Sequence, residues 1–344
     1  MRRAPTHEVR PGLKVALIGL GYWGPKLARN LAASQLCKEL VLVDRAPERL
    51  KELEQAYPGC PTYTDVHEVL KTPDLDAVVL ATPVDTHASL AEMAIRAGKS
   101  VLVEKPLATS YADGVRLVAL ATERKRTLMV GHTFLYSPAV QLIGRLLRNG
   151  SLGRPLYLQS SRINLGIHQP DVSVLWDLGP HDVSILLDWI EETPDRVHAI
   201  GRSTVPGKQG DVAFLSLEFP SGFIASIHLS WLAPTKVRRM TLVCSEKMVI
   251  YEDTQPEEPV KIYDRGISAV TSSDYGEDKL TYRTGDVVSP NVGSSEPLRA
   301  ELEVFLERVA RRELPAAAER RALDVLRVLE VAHESLQAGR PVTL

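Results

Sequence analysis

An α/β fold in two parts is predicted: a doubly wound parallel sheet, then an α+β domain built on a large, mainly antiparallel open sheet. Three observations predict it. An apolar run, Leu13-Lys-Val-Ala-Leu-Ile18, feeds straight into Gly19-Leu-Gly21-Tyr-Trp-Gly24. From there to about Gly131, strand-like and helix-like segments alternate, as right-handed crossovers onto a parallel sheet require. Beyond His132, β-type runs follow one another without crossover helices, which implies antiparallel pairing.

The elements follow in order. Val15, Leu17 and Ile18 read as a strand with both faces covered, since polar breaks are few. A helix from Pro25 to about Ala33 starts with proline, where no N–H is needed. Leu40 to Asp44 is a second strand, Pro47 to Tyr57 a helix, and Asp65 to Leu70 another. Strand 76–82, helix 86–97 closed by Gly98, strand 100–104, helix 110–125 and strand 127–131 complete the first domain, 13–132. The second domain, 133–344, opens with helix 138–149. A helix from Pro180 to Glu191 is expected there too, with strands 155–165, 195–203, 212–219, 223–231, 239–244 and 248–252. Pro220-Ser-Gly222 between two of these runs is a hairpin signal. Residues 254–295 are polar and read as a long excursion with a short strand or two; helices 296–312 and 319–338 end the chain.

The glycine turn has the spacing of a dinucleotide-binding, Rossmann-type βα unit. Gly19 allows the tight turn, Gly21 a close backbone approach to a pyrophosphate, and Gly24 helix-on-strand packing. The helix N-terminus would face the phosphates. Asp44 lies about twenty residues past the glycines, where a carboxylate binds the ribose hydroxyls; the plainer alternative is that it caps the next helix and Arg45 is solvated. Its charge favours NAD, while the adjacent Arg45 leaves NADP open as a cofactor. Tyr22 and Trp23 lie inside the loop; Trp23 either packs beside the nicotinamide or staples the helix.

Bulk properties narrow the class. The chain has 344 residues, 44% hydrophobic and 24% charged, with net charge −2, so nothing points to nucleic acid or a membrane surface. No apolar stretch reaches membrane-spanning length. Met1 to Gly12 is polar, carries Arg2, Arg3 and Arg10, and reads as a disordered tail. Cys37, Cys60 and Cys244 are scattered, which suggests a reducing cytoplasm and no zinc site; the carboxylates are not spaced as a metal set. One uncovered apolar sheet face would need a partner, so a homodimer or homotetramer is expected.

Two constellations carry chemistry. Glu104-Lys105-Pro106 stands at the carboxyl end of a strand, where ligands of such sheets gather. A lysine there can stabilise an alkoxide; a surface lysine at a strand end is the plainer alternative. In Asp177-Leu-Gly-Pro-His181-Asp182, Pro180 suits a first helical turn, which would put His181 at the positive end and keep its ring a neutral base. Asp177 then orients the ring or binds a hydroxyl; alternatively Asp177 or Asp182 serves the helix N-terminus and His181 is a packed core residue. Thr82, Pro83, His87, Glu104 and Lys105 are further candidates for the cofactor, with His87 either touching its ribose or capping a helix. Tyr136, Arg162, Asn164 and His168 are candidates for the substrate pocket, although a solvated strand edge would also explain the last three. His228 and Trp231 read as sheet residues.

Gly19-x-Gly21-x-x-Gly24, Ala81-Thr-Pro83 with His87, Glu104-Lys105-Pro106 and Asp177-x-Gly179-x-His181-Asp182 occur in this order. Together they resemble the glucose–fructose oxidoreductase/inositol dehydrogenase/MocA family. The resemblance implies a Rossmann domain followed by an open-sheet domain, and NAD(P)-linked oxidation or reduction of sugars and cyclitols. It also implies that Lys105, Asp177 and His181 are the catalytic lysine, aspartate and histidine. One departure concerns 131–138, Gly-His-Thr-Phe-Leu-Tyr-Ser-Pro, where many members carry an arginine-rich strand end. Gly19 to Pro25, Gly131 to Tyr136, Arg162 to Gly166 and Trp176 to His181 are similar to the branch of nucleotide-sugar 3-dehydrogenases, UDP-N-acetylglucosamine 3-dehydrogenases included. That likeness implies a nucleotide-sugar substrate. The alternatives are a cyclitol or free-hexose dehydrogenase, an NADPH-dependent 3-ketosugar reductase, or a non-catalytic NAD-binding sensor.

Overall fold

The computed structural model describes residues 12–166, 172–206, 210–271, 278–315 and 317–344. The chain forms two compact units: one runs to Tyr136 and resumes over Glu296–Leu326, the other comprises Ser137–Ser295 and Arg327–Leu344. Segment 296–326 thus joins the first unit, where the sequence assigns it to the second domain.

In the first unit, strands and helices alternate as β1 (Leu13–Ile18), α1 (Gly24–Ala33), β2 (Cys37–Val43), α2 (Pro47–Ala56), β3 (Thr62–Tyr63), α3 (Val66–Leu70), β4 (Ala77–Leu80), α4 (His87–Arg96), β5 (Ser100–Glu104), α5 (Tyr111–Glu123) and β6 (Leu128–Gly131). The sheet order is β3-β2-β1-β4-β5-β6 and each neighbouring pair is parallel. This is the doubly wound arrangement, with its switch point between β1 and β4. Local chemistry sets the helix ends. Asp65 and Ser110 accept the backbone N–H of His67 and Asp113, as N-caps do. Helix α8 (Pro297–Ala310) returns to this unit because its apolar stripe, Leu298, Leu302, Phe305, Leu306 and Val309, packs into one core with Leu27 and Leu31 of α1. Each such side chain contributes roughly 1.5–3 kcal/mol on burial.

The second unit contains α6 (Pro138–Arg148), β7 (Pro155–Ile163), α7 (Val174–Ile190), β8 (Arg196–Arg202), β9 (Val212–Glu218), β10 (Ile224–Ser230), β11 (Val237–Cys244), β12 (Met248–Glu252), β13 (Val260–Thr271), β14 (Asp278–Val288) and β15 (Val342–Thr343). Helix α9 (Ala317–Ala338) starts in the first unit and ends in the second. Strand order is β14-β13-β12-β11-β7-β10-β9-β8-β15. Among the described residues β7 and β10 pair parallel and the other neighbours antiparallel. Gly222, at φ +83°, closes the β9–β10 hairpin. The inner face buries Leu158, Leu215, Leu217, Ile227 and Leu229. The outer face leaves Tyr157, Ile200, Phe214 and Ile224 exposed, with Phe214 stacked on His228 at 4.2 Å. The expectation of a homo-oligomer rests on that face.

Two elements differ from the sequence reading. Segment 254–295 holds two long strands, β13 and β14, of 12 and 11 residues. Their register runs from Ile262↔Val288 to Thr271↔Asp278, and this mutual ladder outweighs the weak β-propensity of a polar segment. Helix α7 begins at Val174, six residues before the expected start, with Pro180 inside it. An interior proline costs about 3 kcal/mol. Burial of α7 on most of its circumference, from Val174 to Trp189, offsets that cost. Gly179 allows the close packing: a Cβ there would lie 2.8 Å from Leu329 Cδ2.

Candidate active site

In the first unit, the loop between β1 and α1 carries the three glycines of the motif. Gly19, at φ +96°, passes so near the end of β4 that a Cβ would lie 2.5 Å from the Ala81 carbonyl oxygen. A Cβ on Gly24 would meet the Gly19 carbonyl at 2.9 Å. Gly21 is different: a Cβ there would meet only Arg49 Nη1, at 3.9 Å. Two of the glycines serve internal packing, and the third leaves backbone open on the side where a pyrophosphate fits. No side chain caps α1, so its N-terminal donors suit an anion. This donor set fits a dinucleotide.

Asp44, 8% exposed, accepts the Leu20 N–H on Oδ2 at 2.7 Å and the Ala46 N–H on Oδ1 at 2.9 Å. It therefore braces the glycine loop and starts α2 together. Arg45 is exposed, while Arg49 Nη1 lies 3.5 Å from Asp44. Tyr22 is exposed and meets Trp23, the N-cap of α1, edge to face at 5.9 Å; the Lys26 ammonium lies over both rings. Gly19→Ala should destabilise the protein by more than the 1–2 kcal/mol of a left-handed non-glycine residue alone. Gly21→Ala should leave stability within about 0.5 kcal/mol, as surface changes do, yet weaken NAD binding. Thermal melts with and without NAD⁺ separate the two; equal loss of stability at both positions would contradict the assignment.

Lys105 follows β5 directly, half-buried, with a cis peptide to Pro106. Thr82 and Pro83 lie past the end of β4, and Thr86 Oγ1 donates to Thr82 Oγ1 at 2.7 Å. His87 is 1% exposed, with Nδ1 2.8 Å from the Pro106 carbonyl and Nε2 2.9 Å from that of Thr82. Burial lowers its pKa, against the pull of those two carbonyls. With both ring nitrogens taken, His87 ties the β4 end to Lys105-Pro106. The helix cap foreseen from sequence does not describe that placement, since Thr86 is the N-cap of α4 and no side chain caps it.

Burial shifts several titratable groups of the first unit. Burial pushes Glu104 up to about 7, against the charge of Lys105. Burial also raises Glu301 of α8 well above the carboxylate range, and the Glu104 charge adds to this. His132 falls to about 4, from burial and then the Lys105 charge. Tyr136 packs against the first unit's core, and burial followed by the Glu301 charge raises its phenol.

In the second unit, the other sequence constellation is on α7. Asp177 and His181 are four residues apart and so share one helix face. Trp231, just past β10 and 2% exposed, donates Nε1–H to Asp177 Oδ2 at 3.3 Å. Since α7 starts at Val174, His181 lies two turns inside, and the helix-end field invoked from sequence does not apply to it. Arg162 is not on a solvated strand edge. It is 3% exposed and donates Nε–H to Asp182 Oδ2 at 2.5 Å, while Ser160 Oγ donates to Asp182 Oδ1 at 2.7 Å. That buried pair clamps α7 to β7, one residue along from His181. Asn164 lies past the end of β7, its N–H on the Ser230 carbonyl and its own carbonyl accepting from Ala233. His168 falls outside the described residues. The sequence reading missed Trp231 and Glu301. Nothing local marks Trp231, but Glu301 stands on the apolar stripe of α8, three residues after Leu298.

No helix among the described residues is long and apolar enough to cross a membrane. Comparisons with known proteins agree with the two units. Residues 13–132 match the model described as an oxidoreductase family with an NAD-binding Rossmann fold, and residues 140–250 match the GFO/IDH/MocA C-terminal domain. The chain is 29% identical over 302 residues to the UDP-N-acetylglucosamine 3-dehydrogenase of Acidithiobacillus ferrooxidans, covering 87% of this chain and 89% of that protein. It is 26% identical over 262 residues to the myo-inositol 2-dehydrogenase of Thermotoga maritima, covering 73% and 78%. The solved structure of GenD2 from gentamicin A biosynthesis, in complex with NAD, is similar at TM-score 0.79 and 25% identity, covering 100% and 99%. With a nucleotide-binding domain and a C-terminal domain both matched, in that order, the chain belongs to the Gfo/Idh/MocA family of NAD-binding oxidoreductases.

Proposed function

We propose that the protein is an NAD-dependent dehydrogenase that oxidises a secondary hydroxyl of a sugar, carried as a nucleotide sugar. The observation that carries this reading is the pairing of Asp177 and His181 on one face of α7, with Trp231 fixing the carboxylate. A base and its orienting acid at that spacing suit proton abstraction from an alcohol. His181 takes the hydroxyl proton, Asp177 orients the ring or the sugar, and the Lys105 ammonium stabilises the oxyanion. Bound NAD⁺ supplies the hydride acceptor. Gly19, Gly21, Gly24 and the α1 N-terminus hold its pyrophosphate, and Asp44 binds the adenosine ribose, where its charge rejects a 2′-phosphate. Proton and hydride leave the same carbinol, which becomes a ketone.

Likeness to the UDP-N-acetylglucosamine 3-dehydrogenase over most of both chains supports a nucleotide sugar. Likeness to inositol dehydrogenases favours the second reading, a free cyclitol or hexose. NADH formation from NAD⁺ and a panel of UDP-sugars, hexoses and cyclitols separates them. The expected result is NADH with a UDP-sugar. NADH with cyclitols alone supports the second reading, and none with any substrate supports an NAD-binding sensor.

A further inference from the structure

One residue of the sequence motifs, His87, takes no part in the chemistry just described. It opens α4, is 1% exposed, and holds its ring between two chain ends of the first unit. Nδ1 is 2.8 Å from the Pro106 carbonyl oxygen, and Nε2 is 2.9 Å from that of Thr82. Both are ordinary hydrogen-bond distances, and a carbonyl can only accept. An imidazole has a nitrogen on each side, so one ring reaches both. Its neutral form donates to one carbonyl and its charged form to both.

Those ends extend neighbouring strands. The β4–β5 ladder runs to Leu80↔Val103, and Thr82 and Pro106 follow it at the carboxyl end of the sheet. Lys105 is the single residue between the end of β5 and Pro106. Thr82 also borders the glycine turn, since a Cβ on Gly19 would lie 2.9 Å from Thr82 Cγ2. Buried Ala91, Ala94 and Ile95 seat α4, so the imidazole stands on a close-packed base. A buried carbonyl left without a donor costs free energy, which keeps the Pro106 end against the ring.

We infer that His87 is a positioning residue for Lys105: it fixes the distance between the lysine's segment and the segment that borders the glycine turn. This rests on the reading of Lys105 as the oxyanion-stabilising group. In that reading the turn carries NAD⁺, so the distance that His87 sets is the one between the cofactor and the amine that meets the alkoxide. A displacement of about 1 Å in such a spacing costs up to about 10²-fold in rate. The ring's nitrogens are spent on the backbone, so His87 acts through Lys105 and not on the cofactor.

The test compares His87→Leu with His87→Gln, both assayed well below their melting temperatures. Leucine fills similar space without a donor; glutamine keeps one donor group and can hold one carbonyl. His87→Leu should lower kcat by about 10–100-fold while NAD⁺ affinity stays close to the parent's. His87→Gln should recover part of that loss. Parental kcat in His87→Leu would leave His87 a purely structural role, and a fall in NAD⁺ affinity matching the fall in kcat would make it a cofactor ligand. Either result would overturn the inference. A second arm needs no turnover: acylation of lysine amines, followed by peptide mass spectrometry. Lys105 should react faster in His87→Leu than in the parent, with Lys26 unchanged. Where His87→Leu does not fold, both readouts are taken on His87→Gln, with the same signs. An unchanged rate at Lys105 would overturn the inference, even in a protein that turned over none of the sugars tried.

Discussion

His181→Ala is expected to lower kcat by about 10²–10⁴-fold, the usual worth of a positioned general base. Lys105→Ala is expected to cost about 10²–10³-fold, as loss of one oxyanion donor does. In both variants NAD⁺ affinity, measured by protein fluorescence, should stay close to the parent's, because neither residue is in the glycine loop or beside Asp44. The double variant should lose little more than the worse single one, since groups that act on one proton transfer are not additive. His181→Ala should also remove the acid limb of the kcat profile, where a protonated imidazole cannot take the hydroxyl proton. Full turnover in either variant would exclude that residue from the chemistry. Loss of NAD⁺ binding with loss of turnover would make Lys105 a cofactor residue instead.

Arg162→Met alone is expected to destabilise the protein by about 3–5 kcal/mol, because Asp182 is left as an uncompensated buried charge. Asp182→Leu alone should cost a similar amount by stranding the guanidinium. At ~2–4 °C per kcal/mol for a unit of this size, either change lowers Tm by roughly 6–20 °C. The double variant, Arg162→Met with Asp182→Leu, should recover much of that loss, since a buried ion pair is often no better than an apolar pair of similar volume. The double variant also separates stability from positioning. Asp182 is next to His181, so recovered Tm with reduced kcat would show that the clamp sets the ring's place. A single variant that melts with the parent would contradict the burial and pairing described for Arg162.

Much of the fold was legible because it rests on local rules. The parallel strands of the first unit are unbroken apolar runs, and Gly98, Ser110 and Asp65 punctuate the helices as their chemistry requires. Start and end fell within a few residues wherever such punctuation existed. Pro180 misled because proline usually opens a helix; in α7 tertiary burial overrides that preference. The strands β13 and β14 were hidden for the opposite reason. Their polar sequence carries little β signal, and what makes them strands is pairing across the hairpin. In the candidate site, the glycines, Lys105, Asp177 and His181 stand out as motifs. The supports do not. Trp231 reaches Asp177 from more than fifty residues away, and Arg162 looks like a recognition group until Asp182 is seen to engage it. Glu301 left a trace, an acid on a buried stripe, but its partner Thr133 lies more than one hundred and fifty residues earlier.

Hydride transfer from a sugar carbon to the nicotinamide is the central claim, and isotopic labelling tests it most directly. With the active member of the UDP-sugar panel deuterated at the carbinol carbon, NADH formed by the protein should carry deuterium at C4. Its formation in a single turnover should slow by a primary isotope effect. NADH without the label, or no NADH from any sugar while NAD⁺ binds normally, would contradict the account.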